Sequence, residues 1–218
     1  MRDSYRDELN ATTELIVTVA GLVRTAVQDA TTALVTADLT VAERVISGDA
    51  RIDELTKEIE QRSFQLLARQ APVAGELRTV VAVLRMSYSL DRMGDLAAHI
   101  AKIARLRYPE VAAPEPVADQ IKQMAETADS MIATAITTLE NRDAEAAAGL
   151  ATADSKMDEL RSDQFHLLLS DDWEYGVEKA VDTALLGRYY ERIADHAVAM
   201  GARTIYIVTG EAPEGENW

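Results

Sequence analysis

Two segments of this chain repeat one pattern of charged side chains. The segment DRMGDLAAHIA at residues 91–101 and the segment ERIADHAVAMG at residues 191–201 each begin with an acid followed by an arginine, and a second acid stands four positions after the first. On a helix, positions i and i+4 lie one turn apart on the same face, with Cβ atoms about 5–6 Å apart. Carboxylates placed in this way repel each other, so the pattern predicts a neutralising group beside them.

The repetition extends upstream of these two segments. Asp49 and Asp53 return as Asp154 and Asp158 at an offset of 105 residues, within the related stretches DARIDEL and DSKMDEL. The acidic segments described above are offset by 100 residues, so the second copy is about five residues shorter between its two patterns. Internal duplication is therefore the organising feature of the chain.

The two acidic patterns of each copy come together if their helices pair antiparallel. In an antiparallel pair, two residues at the same height along the helices, here called level, have numbers whose sum is constant. That sum is 144 in the first copy and 349 in the second. The implied fold points are Pro72 and the stretch beside Gly176, where residues typical of turns already stand. Adjacent helix axes lie about 8–10 Å apart, so the acids of each hairpin can converge. The first quartet is Asp49, Asp53, Asp91 and Asp95, and the second quartet is Asp154, Asp158, Glu191 and Asp195.

The chemistry of the two quartets favours cation binding. Ligation by oxygen alone suits Mg²⁺, Ca²⁺, Mn²⁺ or iron without selecting strongly among them. A single acid pair at this spacing is usually solvated helix surface, whereas a level arrangement that occurs twice indicates a metal site. Salt bridges from Arg92 and Arg192 are expected to neutralise part of the charge, but one arginine does not balance four acids.

The three histidines do not suggest catalysis. His99 lies one turn beyond the first quartet and is a candidate ligand there, or else a surface residue. His196 is expected to pack or to form hydrogen bonds, and His166 is expected to be exposed. The sequence lacks a phosphate-binding glycine-rich loop, an H-E-x-x-H pair and a nucleophile elbow. Its motifs also differ from the Glu-x-x-His pattern of ferritin-like di-iron bundles, so a non-enzymatic role is favoured.

Composition narrows the class of protein. The chain has 218 residues, of which 48% are hydrophobic, and few glycines and prolines, which favours long helices over sheet. A net charge of -15 argues against a nucleic-acid partner. No cysteine is available for disulfides or thiolate metal sites. The first ten residues lack an apolar signal core, and no uncharged apolar run reaches the ~18 residues that span a bilayer, so we expect a soluble cytoplasmic protein.

Hydrophobic periodicity and turn residues predict an all-α fold of two tandem, pseudo-symmetric three-helix bundles. The first bundle is expected to cover residues 1–111 and the second residues 112–208, followed by a mobile acidic tail at residues 209–218. The six predicted helices cover about 3–37, 38 or 40 to 69, 74–107, 117–141, the stretch from 143 to about 170, and about 174–208. An apolar seam on the third helix is expected to pack centrally; it consists of Val83, Met86, Leu90, Met93, Ala97, Ile100 and Ala104.

These motifs together resemble those of the PhoU family of phosphate-uptake regulators. The resemblance spans about residues 5–208 and is carried by the NRD triplet at 141–143, the two DEL elements, the segment APVAGELR at 71–78, and above all DRMGD and ERIADHA. It implies a tandem of three-helix bundles with multinuclear clusters of iron, zinc or a similar metal, whose ligands would be the members of both quartets. PhoU-like proteins usually carry Asn where this chain has His99 and Ala199, so the two sites are expected to differ in occupancy.

The resemblance also implies a function. Proteins of this family are accessory to the phosphate-specific ABC transporter and are negative regulators that link it to a sensor histidine kinase. The expected partners are therefore transporter components and the kinase, with membrane association only through them; a homodimer is left open. Two alternatives stand beside this regulatory adaptor. One is a carboxylate-bridged, metal-dependent hydrolase of small phosphate compounds, and the other is a helical scaffold whose acids are merely solvated.

Overall fold

The computed structural model of the chain describes residues 2–69, 72, 74–115 and 117–211. Within these residues the regular structure consists of six α-helices and no strand, so the predicted all-α fold is confirmed. The observed helix ends lie within two residues of the predicted ones. The helices are α1 (Arg2–Thr36), α2 (Leu39–Arg69), α3 (Gly75–Arg107), α4 (Val117–Asn141), α5 (Ala144–Leu168) and α6 (Gly176–Thr209).

The second helix of each copy begins at an aspartate. The Asp38 carboxylate accepts a hydrogen bond from the Val41 backbone N–H at 3.0 Å, and the Asp143 carboxylate accepts one from the Ala146 N–H at 2.9 Å. Each bond satisfies one of the backbone donors that a helix N-terminus leaves without an intrahelical partner. The two aspartates are equivalent positions, 105 residues apart. The duplication therefore preserves the start of this helix, and Asp38 is the cap in preference to Thr40.

Each hairpin is paired in the predicted register. The first hairpin turns at Pro72 between α2 and α3, and the second turns through residues 169–175 between α5 and α6. Grooves between the paired helices are lined by residues at level positions. In the first hairpin these are Thr56 with Tyr88, Lys57 with Ser87 and Glu60 with Leu84; in the second they are Phe165 with Ala184, Leu168 with Val181 and Leu169 with Ala180.

One hydrophobic core runs through both copies. Helix α3 packs against α1, α2 and α6, and α6 packs against α3, α4 and α5, so these two helices form the centre of the molecule. Tyr190 on α6 is fully buried, and its hydroxyl lies 2.8 Å from Thr31 Oγ1 on α1. All seven residues of the predicted α3 seam are buried as well: Val83, Met86, Leu90, Met93, Ala97, Ile100 and Ala104.

The two copies pack antiparallel to each other. Arg24 on α1 forms a bidentate ion pair with Asp129 on α4, with N···O distances of 2.7 and 2.8 Å. These residues are equivalent positions 105 residues apart, so they lie near a pseudo-twofold axis. Arg107 near the end of α3 contacts Glu178 and Asp182 near the start of α6. The turns of the two hairpins therefore lie at opposite ends of the molecule.

The last helix ends close to the predicted position. Helix α6 continues to Thr209, and Gly210 follows in the left-handed region with φ of 82°. Most of the predicted tail, residues 212–218, lies outside the described residues. None of the helices in the described part of the chain is both long enough and apolar enough to cross a membrane.

The capping geometry leads to a stability prediction. We expect Asp38→Ala and Asp143→Ala each to lower the free energy of unfolding by about 1 kcal/mol, because each substitution leaves a helix N-terminal N–H without its acceptor. Urea denaturation followed by circular dichroism would measure the change. Thr40→Ala is the matched control and should change stability by less than about 0.5 kcal/mol. Equal losses for Thr40→Ala and Asp38→Ala would contradict the assignment of Asp38 as the cap.

Candidate metal centres

The first quartet lies across the α2–α3 hairpin, with two acids on each helix. The helices approach closely at Gly94, where an added Cβ would lie only 3.0 Å from Asp49 Oδ1. Burial and then the neighbouring charges of Asp95, Asp53 and Asp91 raise the pKa of Asp49 from 3.8 to about 6, although the charge of Lys102 lowers it. The four carboxylates are therefore electrostatic neighbours, as the hairpin register requires.

Basic side chains neutralise only part of the first quartet. Arg92 Nη1 lies 2.8 Å from Asp95 Oδ2, and Lys57 Nζ lies 4.0 Å from Asp53 Oδ2. Both pairs are partly exposed, and such pairs contribute about 0–1 kcal/mol. Among the described residues, the buried Oδ1 of Asp49 has no hydrogen-bond partner. Within these residues, Asp49 therefore carries a desolvated carboxylate oxygen without a hydrogen-bond partner and without an ion pair.

The second quartet repeats this arrangement across the α5–α6 hairpin. Burial raises the pKa of Asp154 from 3.8 to about 6, with further contributions from the charges of Asp195, Asp158 and Glu191. The buried Oδ1 of Asp154 also has no hydrogen-bond partner within the described ranges. Asp154 and Asp49 are equivalent positions. Each copy therefore holds one desolvated carboxylate with an unpaired oxygen among three further acids.

Two arginines that the sequence analysis missed contact the second quartet. Arg161 Nε on α5 lies 3.4 Å from Glu191 Oε2, and Arg188 Nη1 contacts the same oxygen from the preceding turn of α6. Arg192, which was expected to neutralise this quartet, makes only a minor contribution that lowers the pKa of Asp195. Two signals were available in the sequence. Arg188 stands three positions before Glu191, and Arg161 is level with Arg188 in the predicted register.

The histidines occupy three different environments. The exposed His99 ring stacks on Tyr189 of α6 with ring centroids 5.5 Å apart, and burial and then the charge of Lys102 lower its pKa. His99 thus lies beside the first quartet at the contact between the copies, and its role as a ligand stays a prediction. His196 is half-buried, as expected of a packed residue, and its pKa is lowered mainly by burial. His166 is exposed, as expected.

The chemistry of both quartets suits a hard cation. Every donor is a carboxylate oxygen, and each quartet contains a buried oxygen that lacks a partner. A bound cation would favour the charged form of these acids and so offset the effect of burial. In the part of the chain that the structure describes, however, no three acidic or histidine side chains are already grouped as a metal-binding set. Binding would require side chains to turn toward one another, and the ligand assignments stay predictions.

The fold and the two sites define a class of protein: an all-α tandem repeat in which each hairpin carries an acidic quartet. The family model described as the PhoU domain matches this chain twice, at residues 16–104 and 121–204. The two matches correspond to the two copies and together cover most of the chain. The chain belongs to the PhoU family.

Named relatives match the chain over its whole length. The phosphate-specific transport system accessory protein PhoU homolog 2 of Mycobacterium tuberculosis is 42% identical over 213 residues, which cover 98% of this chain and 100% of the relative. The PhoU homolog 1 of Mycobacterium leprae is 41% identical over 217 residues, which cover 100% of this chain and 98% of the relative. The match therefore includes both copies and both quartets.

A solved structure supports the same architecture. The crystal structure of PhoU from Pseudomonas aeruginosa superposes with a TM-score of 0.90 at 25% sequence identity, and the match covers 95% of this chain and 100% of the other. PhoU from Streptococcus pneumoniae superposes with a TM-score of 0.85 at 26% identity. The tandem three-helix fold predicted from the sequence is thereby confirmed.

The raised pKa values of Asp49 and Asp154 predict an unusual pH dependence of stability. Because the folded, metal-free protein binds these two protons more tightly than the unfolded chain does, its free energy of unfolding should fall as pH rises from about 4 to about 6. Asp49→Asn with Asp154→Asn should remove this part of the slope. Urea denaturation at several pH values with a chelator present would measure it.

The control for this experiment is Glu159→Gln, which replaces an exposed carboxylate on α5 and should leave the slope unchanged. A double variant with the same pH dependence as the unmodified chain would show that these two carboxyls titrate normally in the folded protein.

Proposed function

We propose that this protein is a metal-binding regulatory adaptor of phosphate uptake. In this role it is an accessory protein and negative regulator that couples the phosphate-specific ABC transporter to a sensor histidine kinase on the cytoplasmic side of the membrane. Two findings support the proposal. The relatives that match the full chain are named accessory proteins of the phosphate-specific transport system, and the chain belongs to the same family.

The observation that carries the metal-binding part of the proposal is the unpaired buried oxygen in each quartet. Asp49 Oδ1 and Asp154 Oδ1 are desolvated, surrounded by other acids and without a partner among the described residues. Leaving a buried acceptor unsatisfied costs about 1–3 kcal/mol. Two such atoms at equivalent positions indicate a common cause, and a shared requirement for a cation supplies one.

The candidate ligands are the eight acids of the two quartets, with His99 as an additional donor at the first. A bound divalent or trivalent cation, or a multinuclear cluster, would supply positive charge that cross-links the two helices of a hairpin. Carboxylate donors favour manganese, magnesium, calcium or iron over zinc, which prefers nitrogen and sulfur. The chain's own residues set the helix spacing and the level of the donors, and these are the features that a partner protein would sense.

The regulatory role is favoured over hydrolysis of small phosphate compounds. The matched relatives are named as accessory proteins rather than enzymes. The acids of both quartets are held on paired helices whose apolar faces form the core. Such an arrangement is suited to linking the geometry of a hairpin to the presence of a cation, which is the property that a signalling adaptor needs.

The principal test replaces one acid pair in each quartet, with Asp91→Asn, Asp95→Asn, Glu191→Gln and Asp195→Asn combined in one variant. We expect the purified variant to lose its bound metal, because each quartet keeps only two carboxylates. Cells that carry it should express phosphate-starvation genes even when phosphate is plentiful. Elemental analysis and a phosphate-regulated reporter are the two measurements.

The control combines Glu159→Gln with Asp163→Asn, two exposed acids on α5 that belong to neither quartet. It should keep both the metal and the repression. Retention of metal in the principal variant would contradict the ligand assignment. Loss of metal with intact repression would separate the quartets from the regulatory role.

His99 leads to a second prediction about metal content. In a background with Glu191→Gln and Asp195→Asn, bound metal reports on the first quartet alone. We expect His99→Asn in this background to lower the Mn²⁺ affinity at least about tenfold, since even the loss of a side chain that only orients a ligand costs about 10–100-fold. Isothermal titration calorimetry would measure it, with His166→Asn as the control. An unchanged affinity would assign His99 to its stacking contact with Tyr189 instead.

A further inference from the structure

The two quartets differ in the side chains that contact Asp91 on α3 and Glu191 on α6, which are the first acids of the two repeated motifs. In the first copy, the Thr56 hydroxyl donates a hydrogen bond to Asp91 Oδ1 at 3.2 Å. In the second copy, the position equivalent to Thr56 at the offset of 105 is Arg161, whose Nε lies 3.4 Å from Glu191 Oε2. A neutral hydrogen-bond donor in one copy is thus replaced by a cationic side chain in the other.

A second pair of equivalent positions changes in the same direction. Arg188 contacts Glu191 Oε2 from the preceding turn of α6. At the offset of 100 residues, its counterpart on α3 is Tyr88, a neutral and exposed side chain. Glu191 in the second copy therefore contacts two guanidinium groups, whereas Asp91 in the first copy accepts a hydrogen bond from a hydroxyl, and the nearby Arg92 contacts Asp95 instead.

The guanidinium of Arg161 lies beside Glu191 in a position shielded from solvent. The Arg161 side chain is 18% exposed and that of Glu191 is 16% exposed, whereas Arg92 and Lys57 at the first quartet are 43% and 69% exposed. Arg161 Cζ also lies 4.9 Å from the centre of the Phe165 ring. Solvent and salt weaken a shielded charge pair much less than an exposed one.

We propose that the two quartets are unequal metal sites, because Arg161 and Arg188 act as built-in counter-cations of the second quartet. This inference rests on the proposed metal-binding function. A cation that enters the second quartet must separate Glu191 from two guanidiniums and then lie beside their positive charge. A cation that enters the first quartet displaces the Thr56 hydroxyl from Asp91 and competes only with basic side chains that are more exposed than Arg161, namely Arg92 at Asp95 and Lys57 at Asp53. The first quartet therefore fills at a lower metal concentration, and the second fills only at a higher one.

The experiment is a calorimetric titration of the chelator-treated, full-length protein with Mn²⁺. Asp91→Asn with Asp95→Asn leaves the second quartet to be measured alone, and Glu191→Gln with Asp195→Asn leaves the first. We expect the dissociation constant of the second quartet to be at least about tenfold higher than that of the first, a difference of about 1.4 kcal/mol.

Exchanging the neutral and cationic residues between copies provides the sharper comparison. In the protein with only the second quartet, Arg161→Thr with Arg188→Tyr should tighten Mn²⁺ binding about tenfold. In the protein with only the first quartet, Thr56→Arg with Tyr88→Arg should weaken it by a similar factor. Arg161→Gln with Arg188→Gln removes both charges while keeping bulk, and it should tighten binding in the same way if the first exchange unfolds the protein.

The control removes two positive charges far from the second quartet, by Arg44→Thr with Arg105→Thr, both exposed on the first copy. It should leave the affinity of the second quartet unchanged, and circular dichroism melts would verify that each variant is folded. Equal affinities at both quartets, insensitive to the arginine exchanges, would overturn this inference and leave the proposed metal-binding function standing. Failure of both quartets to bind Mn²⁺, with or without the arginines, would overturn both.

Discussion

The repulsion between carboxylates that lie level on paired helices is the constraint on which both sites depend. Four acids are placed at one height of each hairpin, and in each quartet one of them, Asp49 or Asp154, is partly withdrawn from water. Alone, such a group would push the two helices apart. Burial of the apolar faces of all six helices in one core opposes that push. The acids are therefore held together by packing energy that they do not themselves supply.

The antiparallel packing of the two copies determines how these sites are distributed. Helices α3 and α6 each carry half of a quartet and also pack against each other between the copies, as α1 and α4 do. His99 of one copy stacks on Tyr189 of the other, close to both quartets. Each quartet therefore has two of its acids on a helix that also contacts the other copy.

Duplication has preserved the scaffold while allowing the sites to diverge. The capping residues Asp38 and Asp143 and the desolvated acids Asp49 and Asp154 are unchanged between the copies. The neighbours of the quartets have changed, most clearly at the position of Arg161. Replacing a side chain beside an acidic quartet changes the charge around that quartet, while the helix that carries the side chain stays the same. Two sites with different affinities can therefore evolve on one fold.

Much of the architecture follows from the sequence alone. Proline, glycine and capping aspartate residues mark the helix ends, and the two repeat offsets determine the hairpin register, because antiparallel pairing leaves only one level for each residue. The eight acids of the quartets were identified by the same reasoning. These features depend on backbone periodicity, which is a local property of the chain.

Other features are decided only by the tertiary structure. Sequence spacing allows Arg161, Arg188 or Arg192 to lie beside the second quartet, and only the structure shows that Arg161 and Arg188 contact Glu191. The large core shared by both copies, and the stacking of His99 on Tyr189, likewise appear only once the copies are packed. The physical reason is that an ion pair or a ring contact depends on helix rotation and side-chain rotamer. Packing against several neighbours at once sets both of these, and residue numbers do not record them.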